Sequence, residues 1–102
     1  MTKLEPEQDP LIRQLREQIS DTDRSIVEAF NKRLRLVARL KEYKEQRGLD
    51  FVDLRREEWM LQYLARANRG PLSSAGLQEI FATLLDLTKR EVAGREAAAE
   101  ER

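Results

Sequence analysis

The sequence predicts an all-α fold of three helices, one long and two shorter, built to pair with a second copy of itself. Three observations carry this. After Pro10 no proline or glycine interrupts the chain until Gly48, and apolar residues recur throughout that stretch at steps of three and four. Gly48 and then Gly70-Pro71 divide the remainder into two further helical stretches. No segment alternates apolar and polar residues as a strand would, and there is no internal repeat or Gly-rich phosphate loop. The pairing follows from length: a helix of roughly 37 residues spans ~55 Å, whereas a compact domain of this size has a radius of gyration near ~13 Å. Such a helix projects beyond its own fold and needs a partner.

Residues 1–9 are polar, with Pro6 among them, and read as a disordered arm. Asp9-Pro10 is a helix start, because Asp can cap and a proline at the first helical position lacks only a donor that would be unpaired anyway. Gly48 stops this helix, with Lys44 and Arg47 in its last turn. A short connection leads to Asp53, whose carboxylate caps a second helix running to Arg69, with Leu54, Glu57, Leu61 and Leu64 on one face. After Gly70-Pro71, Ser73 or Ser74 starts a third helix whose buried side is Leu77, Ile80, Phe81, Leu84, Leu85 and Thr88. The Ala/Glu/Arg-rich residues 93–102 read as a frayed, charged helix end.

Composition narrows the chemistry. The 102 residues form one domain, with 40% hydrophobic content, a thin core that a helical dimer would thicken. Nineteen basic residues balance nineteen acidic ones, so net charge points to neither nucleic acid nor an anionic membrane. Cysteine and histidine are both missing, which removes disulfides, thiol nucleophiles, imidazole bases and the usual zinc or copper ligands. Chemistry must come from Arg, Lys, Asp, Glu, Ser, Thr, Tyr or the backbone. The opening residues contain no signal-type apolar run and no later run approaches a membrane span, so the expected compartment is the cytoplasm.

The long helix carries a stripe through Ile12, Leu15, Ile19, Asp23, Ile26, Phe30, Arg33, Val37, Leu40 and Lys44, all on one face. Asp23, Arg33 and Lys44 put full charges into it. Singly, each has a bland reading, since Arg and Lys bury their stems while their heads reach water, and Glu57 can pair with Arg56 or Arg33. Together they form a pattern. Arg33 and Lys44 lie eleven residues apart, ~16 Å along the axis, close enough to lean toward one small ligand. Arg16 is seventeen residues before Arg33, ~25 Å, too far to join them on one helix. If two such helices pair antiparallel about a two-fold near roughly residue 28, Arg16 of one chain falls opposite position ~40 of the other. Three cations then converge from two chains, with Glu57 on the wall. Such a pocket suits a small dianion bearing a hydroxyl, because guanidinium forks match carboxylates and a carboxylate accepts from an alcohol.

The residues resemble a known family at this point. Leu15-Arg16-Glu17-Gln18-Ile19-Ser20 with Asp23, then Arg33, Lys44, Asp53-Leu54-Arg55-Arg56-Glu57, Gly70-Pro71-Leu72, and Ile80-Phe81 before Thr88 are similar to the all-helical chorismate mutases of the AroQ class. The resemblance covers about residues 10–92, which it marks as a monofunctional, short-form mutase domain. It implies an intertwined homodimer of three-helix chains converting chorismate to prephenate in phenylalanine and tyrosine biosynthesis, without a cofactor. Carried over, Arg16 holds one substrate carboxylate from the partner chain and Arg33 holds the other. Lys44 bonds the ether oxygen and a carboxylate, Glu57 takes the ring hydroxyl with help from the backbone at Asp53, Arg56 organises the charges, and Thr88 stands near a carboxylate. The chain departs from the family pattern at Val92, where Gln or Glu commonly gives a second donor to the ether oxygen. Either Glu91 reaches in through a local shift of the helix, or Lys44 acts alone, or a partner protein, such as another shikimate-pathway enzyme, completes the pocket. Alternatives on the same scaffold are an isochorismate pyruvate-lyase and an aminodeoxychorismate mutase. A non-catalytic helical regulatory dimer is the alternative from another class.

Overall fold

The computed structural model describes residues 5–100, with side chains described through Gly94. It is all-α, with helices α1 (Pro10–Gln46), α2 (Leu54–Ala67) and α3 (Ser74–Glu100), the three elements expected. The chain divides into two units, Met1–Arg33 and Leu34–Arg102, and α1 runs from the first into the second.

Helix boundaries follow from local chemistry. Asp9 caps α1: its Oδ1 accepts from the backbone N–H groups of Leu11 and Ile12 at 2.9 and 3.2 Å, and its carbonyl takes the first helical bond from Arg13 at 3.0 Å. Ahead of it, residues expected to form a disordered arm include a 3-10 turn, Pro6–Gln8, in which the Glu5 N–H donates to Gln8 Oε1 at 3.1 Å. Proline's fixed φ and the Gln8 side chain stabilise a turn that polarity alone does not reveal. Residues 1–4 lie outside the described part.

The far end of α1 closes with a Schellman arrangement. Gly48 adopts φ 67°, and the Leu49 and Gly48 N–H groups donate to the Lys44 and Glu45 carbonyls at 2.8 and 3.1 Å. The chain therefore turns directly after Lys44, and the 49–53 connection is laid beside that residue. Asp53 then caps α2, its Oδ1 accepting from the Arg56 N–H at 3.2 Å. α2 stops at Ala67, two residues before the expected Arg69. Asn68 takes over there: its N–H donates to the Leu64 carbonyl at 2.9 Å, its Oδ1 accepts from Gly70 N–H at 3.0 Å, and its Nδ2 donates to the Leu72 carbonyl at 2.8 Å. Ser73 caps α3 through Oγ, accepting from Gly76 N–H at 3.0 Å. α3 continues to Glu100, past the expected frayed end after residue 92, in keeping with the high helix propensity of an Ala/Glu-rich stretch.

Within Leu34–Arg102, α2 packs on α3. Among the described residues there, those buried are Leu77, Leu84, Thr88 and Val92, all on one face of α3. Phe81 and Leu85 are half-buried on its flanks, whereas Ile80, expected inside, is exposed. From α2 and its C-cap, Glu57, Met60, Leu61, Leu64 and Asn68 are half-buried, and Leu54 is exposed although it was expected on that face. Within Met1–Arg33 the stripe residues Leu15, Ile19, Ile26 and Phe30 are exposed in the single chain. Among the described residues no helix is long and apolar enough to cross a membrane.

Candidate active site

The Schellman turn and the α2 cap lie close together in the second unit. An open depression of about 560 Å³ lies there, lined by the cations Lys44 and Arg55, the carboxylates Asp50 and Asp53, and the apolar Leu49, Val52 and Leu54. Charged groups against an apolar wall suit a small amphipathic ion. Lys44 is half-buried, and its Nζ donates to the Phe51 carbonyl at 3.4 Å. That bond is long, and it engages one of the three donors an ammonium carries.

Asp53 joins the depression to α2. Because its carboxylate is committed to the Arg56 N–H and its carbonyl accepts from the Glu57 N–H at 3.1 Å, the Asp-x-x-Arg-Glu sequence is wound into the first helical turn. The Arg56 guanidinium lies over the Trp59 ring, 4.1 Å from its centroid, and Trp59 stacks on Tyr63 at 5.1 Å with 7° between planes. Glu57 pairs with a residue of α3. Its Oε1 meets Lys89 Nζ at 2.9 Å, a bridge from α2 to α3. Lys89 escaped sequence reasoning because it lies outside the apolar pattern of α3, and the only hint of it was a cation beside Thr88 and one turn before Val92.

Thr88 is 4% exposed, and its Oγ1 donates to the Leu84 carbonyl at 2.6 Å, the i−4 bond a buried helical threonine commonly makes. Its proton is therefore given to the helix. Val92 is 3% exposed, and Glu91 beside it is exposed on an α3 that runs as unbroken α-helix. The structure thus offers no helical shift that would bring Glu91 to the Val92 position. Arg33 is partly withdrawn from water, and this desolvation pulls its guanidinium pKa below the ordinary value. In the first unit Arg16 is exposed, with Nη1 4.0 Å from Glu7 Oε1 on the 3-10 turn. An exposed pair at that distance holds Arg16 weakly. Among the expected site residues, then, the fold gathers Lys44 and Asp53 at one depression, sets Arg56 and Glu57 in the adjoining turn, and brings Glu57 to α3 through Lys89.

The model for chorismate mutase type II matches residues 15–92. The chain belongs to the chorismate mutase type II family. Searches of curated proteins and of solved structures each gave no significant match. The matched span takes in Arg16, Arg33, Lys44, Asp53, Arg56, Glu57, Thr88 and Val92, so every expected substrate contact lies inside it. Membership supports chorismate mutase activity, an isomerase reaction, and suggests both chorismate as substrate and a dimeric architecture.

Proposed function

We propose that the chain is a homodimeric chorismate mutase that rearranges chorismate to prephenate for phenylalanine and tyrosine biosynthesis. The observation that carries the reading is the half-buried Lys44 facing a depression it shares with Asp53, inside a span that matches the family model. Chorismate is a dianion with a ring hydroxyl. Arg33 takes one carboxylate, and Arg16 of a second copy takes the other; bidentate guanidinium contacts fix both position and angle. Arg56 leaves its cation–π contact with Trp59 to add positive charge, and the backbone at Asp53 with the Glu57 carboxylate accepts the hydroxyl.

Catalysis needs no nucleophile. As the carbon–oxygen bond of the ether breaks and the new carbon–carbon bond forms, electron density collects on the ether oxygen. The Lys44 ammonium interacts more strongly with that oxygen in the transition state than in bound substrate, so it lowers the barrier rather than only tightening binding. Clamping both carboxylates selects the compact conformer whose reacting ends meet, which removes rotational freedom before the bond changes begin. With Val92 in place of a donor, Lys44 bears this role alone, and the reading gives a modest turnover.

The second copy is supported by the single chain's own surface. Leu15, Ile19, Ile26 and Phe30 are patterned as a buried face yet lie exposed. A row of that size is covered when two α1 helices run antiparallel. The test is to supply purified protein with chorismate and separately with isochorismate. Prephenate from chorismate supports the reading. Pyruvate with salicylate from isochorismate assigns the lyase instead, and no product from either, with the dimer intact, assigns a non-catalytic module.

A further inference from the structure

We infer that Lys89 is a positioning residue for substrate, its ammonium holding one oxygen of the Glu57 carboxylate so that the other is presented to the ring hydroxyl. This rests on the chorismate mutase reading above. The observation is the 2.9 Å contact from Lys89 Nζ to Glu57 Oε1, at a charge-assisted distance. Both side chains are partly withdrawn from water, at 37% and 23% exposure. The pair joins two helices: Glu57 is fixed in the first turn of α2 by the Asp53 cap, and Lys89 lies within α3. An ion pair spanning two packed helices has a defined direction, unlike one between neighbouring turns of a single helix.

Two neighbours explain why the orienting cation comes from α3. Arg56, next to Glu57 in sequence, is drawn over the Trp59 ring, and that ring is itself braced by Tyr63. On α3, Thr88 gives its proton to the Leu84 carbonyl and Val92 is apolar. Lys89 adjoins the first and lies one helical turn before the second, so it is the cation on this stretch that α2 meets. An ionised carboxylate accepts at two oxygens. With Oε1 engaged by Lys89, the orientation of Oε2 is set, and a hydroxyl finds its acceptor without the carboxylate having to search rotamers. The hydroxyl takes no part in the bond changes, so this contact acts equally on bound substrate and transition state. Its loss should appear in KM rather than in kcat.

The experiment is steady-state kinetics of the full-length protein and its Lys89→Ala, Lys89→Met and Lys89→Arg variants, each first checked for an unchanged helical circular-dichroism spectrum. The substrates are chorismate and an analogue lacking the ring hydroxyl. For chorismate, Ala and Met each raise KM about tenfold with kcat within about twofold, and Arg restores KM to within about threefold. With the deoxy analogue, or on a Glu57→Gln background, the same substitutions change KM by less than about twofold. A wild-type KM in folded Lys89→Ala and Lys89→Met overturns the inference. So does a KM rise that persists undiminished with the deoxy analogue, which would make Lys89 a general attractor for the dianion. A folded wild-type dimer that converts no chorismate is a different result: it removes the underlying reading and this inference with it.

Discussion

In Met1–Arg33 the apolar stripe of α1 lies largely open to solvent, with Leu15 48% and Ile19 59% exposed, and no residue of α1 is buried. In Leu34–Arg102 part of the leucine and valine is enclosed, Leu77 and Leu84 being 7% exposed where α3 meets α2, while Leu36, Leu40 and Leu54 stay open. Both units carry helical apolar periodicity, so local sequence does not distinguish them. The difference lies in what covers the face. The second unit covers part of its own, while the first unit is patterned for burial that a single chain does not provide. A helix with so many exposed Leu, Ile and Phe residues on one side is an interface waiting for an equivalent surface.

This contrast sets an order of sensitivities. The largest effect should come from placing a charge in the open stripe. Ile19→Asp is harmless to an isolated chain, where the site is already in water, but it puts an unpaired carboxylate into a paired one. We expect loss of the dimer in analytical ultracentrifugation and loss of detectable turnover together. Next is Lys44→Ala, which removes the cation facing the developing oxyanion. It should lower kcat by about two to three orders of magnitude with the melting temperature little changed. A smaller kcat loss would mean that another donor shares the ether oxygen.

Within the enclosed unit, Leu84→Ala should destabilise the protein by about 2–4 kcal/mol in urea unfolding, because α2 and α3 leave little room to close the cavity. A change under about 1 kcal/mol would show that this face of α3 is not the core it is taken to be. The mildest pair concerns neighbouring positions. Val92→Gln should raise kcat by up to about tenfold through a second donor, while lowering stability because a buried amide replaces a valine. Glu91→Gln should leave kcat within about twofold, since Glu91 lies on the exposed side.

How much of this was legible beforehand depended on whether a signal was local. Asp9-Pro10, Gly48, Asp53 and Ser73 were readable as caps and stops because each acts on backbone groups within four residues of itself. What could not be read was rotation and partnership. In the last turns of α1 the half-buried residues are Leu34, Val37, Ala38, Lys41 and Lys44, so the covered face is turned away from Leu40, which the stripe included. At the end of that face Phe51 meets Lys41 through its ring and Lys44 through its carbonyl, and the placement of such a connection is tertiary. The pairing of Glu57 with Lys89 was hidden for the same reason: thirty-two positions separate them, and Arg56 was the obvious neighbour until Trp59 claimed it. Arg33 and Arg16 stood out by spacing alone, as charges in or beside an apolar stripe, and that spacing says what they share only once a second chain is considered.

The most direct test of the central claim is to mix two inactive variants, Arg16→Ala and Lys44→Ala, by co-refolding and to measure chorismate turnover. If Arg16 acts across the interface, half of the dimers are mixed and each of those regains one intact site, so activity should return to roughly a quarter of wild type. If the mixture stays as inactive as its parents although mixed dimers are present, Arg16 serves its own chain or none, and the two-chain site is wrong.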